Sequence, residues 1–186
     1  MYSQLNEEEL ARYCSERDIM AEEELYRRYA AKVNTICCRY TDNAADAEDL
    51  MHEAIIKALD KISTYSFKGT GSLSVWISRI AINMAVDQIR RKRLRIVPLE
   101  FWTHDAVAEP TEDEMESISE DMLLDFISRL PELRRTVFNL YCIDGYSHKQ
   151  IAEMLGISEK GSAGVLAKAR KQLKEEIRHY LKDRDK

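Results

Sequence analysis

Apolar residues recur three and four positions apart through most of this chain, and from Met1 to Lys68 no glycine or proline interrupts them. Leu25, Tyr29, Val33, Ile36 and Tyr40 form one stripe, and Ala47, Leu50, Ala54, Ala58 and Ile62 a second. This spacing predicts two long amphipathic helices broken near Thr41-Asp42-Asn43. A shorter helix is expected over residues 6–16. The first glycines, Gly69 and Gly71, fall in a loop from Tyr65 to Ser72. Beyond it Leu73, Trp76, Ile77, Ile80 and Met84 mark another helix that runs into Arg90-Arg91-Lys92-Arg93, with Trp76 read as core.

Pro98 and Pro110 bracket a stretch poor in periodicity, and from Thr103 to Asp121 there are eight acids and no lysine or arginine. Self-repulsion there predicts an extended linker. Leu123, Phe126, Ile127 and Leu130 predict the next helix; Pro131 opens another at its favoured first-turn position, and Leu133, Val137, Leu140 and Tyr141 carry that one to Gly145. Two more helices follow, Ser147 to Leu155 and about Ser158 to Lys182. No run alternates with period two for long enough to make a strand. The expectation is an all-α chain: two small helical domains, 1–95 and 122–186, joined by a flexible acidic linker over 96–121.

Length and charge refine this picture. The 186 residues are 45% apolar and 33% charged, room for one ordinary domain or two small ones. No stretch approaches the roughly eighteen apolar residues of a membrane span, and Met1 to Leu10 is acidic where a secretory signal would be basic. A cytoplasmic protein without membrane insertion is expected. The net charge of −5 disfavours a nucleic-acid binder until it is resolved along the chain. Residues 1–60, 61–95, 96–130, 131–159 and 160–186 carry −7, +7, −9, −1 and +5, so two separate basic faces are available to a polyanion. Cys14, Cys37, Cys38 and Cys142 lack metal-ligand spacing and are read as core residues of a reducing compartment. The histidines, His52, His104, His148 and His179, are scattered. No catalytic residue, metal, cofactor or small-molecule substrate is expected.

The sharpest local signal is Ser147-His148-Lys149-Gln150-Ile151-Ala152-Glu153-Met154-Leu155-Gly156-Ile157-Ser158. It reads as a helix-turn-helix: Ala152 is small where helices cross, Gly156 allows a positive φ, Ser158 caps the second helix, and Ile151, Leu155, Ile157 and Leu166 fill a small core. An ordinary helical hairpin has the same spacing. The cations Lys168, Arg170, Lys171 and Lys174 favour DNA. A second signal is the aromatic, glycine-bearing loop after Tyr65, which precedes a helix with a basic end, a combination of stacking faces and backbone-tracking cations suited to unpaired bases.

These residues carry a resemblance. Asp46-Ala47-Glu48-Asp49-Leu50-Met51-His52-Glu53 resembles the second-region signature of group 4, extracytoplasmic-function (ECF), RNA polymerase sigma factors of the sigma-70 family. Phe67 to Asn83, with Asp87 and Arg90-Arg91, resembles the next part of that region, and Leu130-Pro131-Glu132-Leu133-Arg134 through Lys171 resembles the fourth region. The motifs come in family order over roughly residues 20–182.

The resemblance implies a factor that binds core RNA polymerase and directs promoter recognition and melting. Asp46, Glu48, Asp49, Leu50, His52 and Glu53 would dock on polymerase. Phe67, Lys68, Gly69, Thr70, Gly71, Ser72, Asn83, Arg90, Arg91 and Arg93 would engage the minus-10 element. Ser147, His148, Lys149, Ser158, Lys160, Ser162, Ala163, Lys168 and Lys171 would bind the minus-35 element. Its implied partners are core polymerase, promoter DNA and an anti-sigma factor. His52 stands where the family usually has glutamine. Glu159-Lys160-Gly161-Ser162-Ala163-Gly164-Val165 is poorer in polar groups than the usual recognition helix, so phosphate contacts and DNA shape are expected to carry more of the binding there. The alternative is a conventional helix-turn-helix regulator that binds an operator without polymerase.

Overall fold

The computed structural model describes residues 2–96 and 119–184, so the expected linker lies almost wholly outside the described residues. Every regular element among the described residues is helical: α1 (Glu7–Ser15), α2 (Ile19–Cys38), α3 (Ala44–Lys61), α4 (Ser72–Ile96), α5 (Glu120–Ser128), α6 (Glu132–Phe138), α7 (His148–Leu155) and α8 (Glu159–Arg184). Short 3-10 turns occupy Tyr2–Gln4 and Ile62–Thr64, and one π-helical turn, Asn139–Ile143, follows α6. The chain divides into two compact units, Met1–Gln88 and Ile89–Lys186. The division falls inside α4, short of the boundary expected at 95.

In the first unit α2 and α3 form the central pair. Leu25, Val33, Leu50, Leu73 and Ile77 are almost fully buried, and Ala21, Ala47, Ala54, Ala58 and Ala81 let the helices approach closely. Both expected stripes are buried throughout. The α4 stripe differs. Its buried face in this unit runs through Leu73, Ile77, Ala81, Ile82, Ala85 and Val86, whereas Trp76, Ile80 and Met84 are half-buried. Leu73, Ile77, Ala81 and Ala85 follow at four-residue spacing and take the buried line, and Trp76 packs beside Tyr65, their ring centroids 5.6 Å apart.

The helix ends explain the breaks. Asn6 and Glu9 form a reciprocal capping box at α1, Asp18 accepts from the Met20 and Ala21 amides at α2, and Asn43 accepts from the Asp46 amide at α3. Between α1 and α2 the chain needs a left-handed residue, and Arg17 takes it with φ 63°. Arg28 fastens the amino-terminal turn by donating to the carbonyls of Leu5 (2.7 Å) and Tyr2 (2.9 Å). Its partner is the buried Glu24, which also receives both ends of the Arg27 fork at 2.8 Å.

In the second unit Phe126, Ile127 and Leu130 pack on Ala169, Leu173 and Ile177, joining α5 to the far half of α8. The near half of α8 shares the buried set of Ile151, Leu155, Val165 and Leu166 with α7. Pro131 sits one place earlier than expected, at the N-cap of α6. Its extended ψ of 141° aims its carbonyl at the Arg135 amide, 3.0 Å away.

Hydrogen bonds from Arg27 and then Arg28 hold Glu24 below the usual 4.5, at about 2. A depressed carboxylate contributes stability that is complete above its unfolded pKa and lost as pH falls through the folded one. The stability gap between wild type and Glu24→Gln should therefore be constant near neutrality and close between about pH 4.5 and about pH 2. Urea unfolding midpoints across that range test this; a gap that persists unchanged at the acid end would mean that Glu24 acts by shape alone.

Candidate protein and nucleic-acid interfaces

On α3, burial of Ala47, Leu50, Met51, Ala54, Ile55 and Ala58 against the unit leaves Asp46, Glu48, Asp49, His52 and Glu53 exposed. Leu50 is only 1% exposed, so it props the surface from beneath and cannot touch a partner, a correction to the sequence reading. The apolar centre is supplied by other residues. Ile56, 60% exposed, follows Asp49, His52 and Glu53 at helical spacing, and Tyr26 of α2 stacks on His52 with centroids 5.7 Å apart and planes at 15°. Ile19 and Met20 at the start of α2 are exposed as well. The signal for Ile56 was readable, because it breaks the stripe formed by Leu50, Ala54 and Ala58; Tyr26 needed the α2–α3 pairing.

The loop before α4 is tied to itself. Ser72 Oγ accepts from the Lys68 amide (3.2 Å) and lies 2.6 Å from the Tyr65 hydroxyl, while the Ser72 amide donates to Gly69 O at 3.1 Å. Gly69 (φ 113°) and Gly71 (φ 89°) take conformations that a β-carbon would strain. The loop presents Phe67, Lys68 and Thr70 outward, with Gly69, Gly71 and Ser72 half-buried. Along α4, exposed Asn83 lies about 16 Å from Ser72 at 1.5 Å per residue, and Arg90 is half-buried. Arg91 is exposed; the Arg93 side chain lies outside the described residues. Within the first unit the loop and α4 thus expose an aromatic, a cation and an amide: Phe67, Lys68 and Asn83.

In the second unit Ser147 and Gln150 form a capping box, Gly156 ends α7 with φ 67°, and Ser158 Oγ accepts from the Gly161 amide at 2.9 Å to start α8. These are the turn chemistries expected of a helix-turn-helix. Lys160, Ala163, Ala167 and Lys171 follow one another at helical spacing along the outer face of α8, with Lys168 half-buried beside them. Ser147 and Lys149 are exposed at the start of α7, and Ser158 is exposed with its hydroxyl engaged in the cap. Ser162 is the exception. It is fully buried and shares a 3.0 Å hydrogen bond with His148 Nδ1, so the structure removes it from the DNA-facing set. His148 stacks on Tyr141 at 4.4 Å, and the Arg170 guanidinium lies 5.9 Å from the same tyrosine ring. Burial lowers His148 below its ordinary 6.5; Glu159 opposes the shift and Arg170 reinforces it. A neutral imidazole suits this role as a spacer between α7 and α8.

Cys14 and Cys37 are buried as expected, whereas Cys38 and Cys142 are exposed, because Cys38 follows its buried neighbour around α2 and Cys142 lies in the π-helical turn. Among the described residues no group of three or more histidines, cysteines or carboxylates could hold a metal, and no helix is long and apolar enough to cross a membrane.

Residues 25–95 match the Sigma-70 region 2 family and residues 120–173 match Sigma-70, region 4. The chain is similar to the ECF RNA polymerase sigma-E factor of Haemophilus influenzae, 27% identical over 97% of this chain and 100% of that one. It is also similar to the ECF RNA polymerase sigma factor SigW of Bacillus subtilis, 30% identical over 81% and 85%. Among solved structures, the sigma factor RpoE in complex with the anti-sigma factor NepR from Bartonella quintana aligns over 82% of this chain and 94% of that one, with 18% identity and a TM-score of 0.49.

The two glycines of the second helix should respond differently to alanine. A β-carbon at Gly164 meets nothing within 4 Å, so Gly164→Ala should gain the full helix-propensity benefit of about 1 kcal/mol. At Gly161 it would lie 3.0 Å from the capping Ser158 Oγ, so Gly161→Ala should gain clearly less. Equal gains in urea unfolding would mean that the cap yields without cost.

Proposed function

The chain belongs to the ECF RNA polymerase sigma factors of the sigma-70 family, and from that premise we propose how its surfaces divide the work of starting transcription. The factor binds core RNA polymerase and directs promoter recognition and melting. The observation that carries this reading is the presence, in family order, of two helical units that match region 2 and region 4, the second with a fully capped helix-turn-helix.

In the first unit the exposed α3 face docks on polymerase. Its acidic rim, Asp46, Glu48, Asp49 and Glu53, surrounds an apolar centre of Ile56 and the Tyr26–His52 stack, a pattern that suits a basic helical partner. Phe67 and the loop up to Ser72, with Asn83, receive unpaired bases of the minus-10 element; Arg90 and Arg91, at the start of the second unit, bind phosphates of that element. In the second unit the outer face of α8, from Lys160 to Lys171, with Ser147 and Lys149, contacts the minus-35 element. Few of these side chains can read base edges, so phosphates and DNA shape dominate there. The factor supplies recognition, and bond formation belongs to polymerase. An anti-sigma factor that covers the α3 face would silence the protein by competition.

Run-off transcription with core polymerase on a pool of upstream regions tests the function as a whole. Defined transcripts that need both proteins support it; a free chain that binds an operator alone and adds no transcripts would favour the conventional regulator.

Two sharper outcomes follow. Asp49→Lys with Glu53→Lys should weaken holoenzyme formation about tenfold, mainly through slower association, whereas Ile56→Ala should act on dissociation. Surface-binding kinetics on immobilised core polymerase separate the two, and unchanged rates for both variants would remove the assignment.

Alanine at Arg90 or Arg91 should lower the salt slope of holoenzyme binding to promoter DNA by about 0.9 each for duplex phosphates, or about 0.7 for single-strand ones. Slopes equal to wild type would reduce the cluster to a solvated helix end.

A further inference from the structure

The residue immediately before α4 is Gly71, which has no side chain with which to cap the helix. The missing acceptor comes from 66 positions upstream. Glu7, in the first turn of α1, accepts the Leu73 amide on Oε2 at 3.1 Å, and its other oxygen, Oε1, accepts the Tyr29 hydroxyl at 3.0 Å. A carboxylate at that end also suits the helix dipole. Burial, then the bond to Glu7, raises Tyr29 above its ordinary 10, so the phenol keeps the proton it donates.

The next residue back, Ser72, is the one that closes the loop on Tyr65 and Lys68. Adjacent residues therefore carry the two attachments: Leu73 to Glu7, and Ser72 to the loop. The mount for Glu7 is itself fixed. Leu10 is fully buried one helical turn on, the Asn6–Glu9 box sets the start of α1, and Arg28 holds the carbonyls of Tyr2 and Leu5. All of these anchors except Arg28 and Tyr29 precede residue 25, where the match to region 2 begins.

We propose that Glu7 is a positioning residue for promoter opening, which locks the first turn of α4 and through it the loop Phe67–Ser72 in the shape that receives unpaired minus-10 bases. This rests on the proposed role of that loop. Glu7 touches no nucleic acid; it acts through Leu73 and Ser72. The amino-terminal helix is thus a working part of the minus-10 reader.

The test uses full-length chain, free and in holoenzyme, with Glu7→Ala, Glu7→Gln and Tyr29→Phe. In the free protein, amide hydrogen exchange at Leu73 should accelerate in Glu7→Ala while the middle of α4 stays protected. In holoenzyme, the probe is a labelled single-stranded non-template oligonucleotide that spans the minus-10 element of a promoter mapped by run-off transcription. Glu7→Ala should bind it about tenfold more weakly, with core-polymerase affinity and minus-35 duplex affinity unchanged. Glu7→Gln keeps an oxygen for the Leu73 amide and should recover most of the loss; Tyr29→Phe should show a smaller loss in the same direction and decides the matter if Glu7→Ala does not fold. Wild-type oligonucleotide affinity in Glu7→Ala, or equal losses in core and oligonucleotide binding, would overturn the inference. Wild-type holoenzyme with no affinity for the oligonucleotide would overturn the role of the loop and the inference together.

Discussion

Close approach of α2 and α3 determines what the first unit can offer to anything outside it. Alanines at 21, 47, 54 and 58 remove the bulk that would hold the helices apart, and burial of Leu25, Val33 and Leu50 then stabilises the pair, a truncation such as Leu50→Ala costing about 2–5 kcal/mol. With those faces spent on each other, the remaining face of α3 is forced outward. Tyr26 reaches His52 only because the two backbones run close. The acidic rim and its apolar centre are therefore by-products of core packing, and they inherit its rigidity.

The second unit depends instead on how its helix ends are satisfied. A helix-turn-helix leaves little room between α7 and α8, so each exposed backbone group needs a local partner: the Ser147–Gln150 box, left-handed Gly156, the Ser158 cap. Gly161 belongs to that last arrangement. Its lack of a β-carbon leaves space for the serine hydroxyl, at the expense of helix propensity. His148 and Ser162 then fix the angle between the helices from inside, which leaves the outer face of α8 to lysines and small residues.

Much of this was legible in the chain. Stripes of large apolar residues marked α2 and α3, and Asn43, Ser147, Gly156 and Ser158 announced their turns, because these signals are local and act on the backbone within a few residues. Failures arose where contact geometry overrode size or spacing. Along α4 the line from Leu73 through Ile77, Ala81 and Ala85 is the buried one, so Trp76 lies half outward; Leu50 and Ser162, chosen by their place in motifs, turned inward. Arg17 occupies a left-handed position that no glycine advertised, and Glu7 caps a helix 66 residues away. No periodicity encodes a contact at that separation.

Cysteine burial has a use beyond packing. Burial pushes the Cys14 and Cys37 thiols up to about 12, so near neutrality they stay protonated and enclosed. The two exposed thiols, Cys38 and Cys142, fall one in each compact unit. A thiol-directed dye or spin label added under native conditions therefore finds one site per unit. The chain already encodes a pair of distance reporters, with which the separation of its two units can be followed as polymerase, promoter or inhibitor binds, and no cysteine need be added or removed.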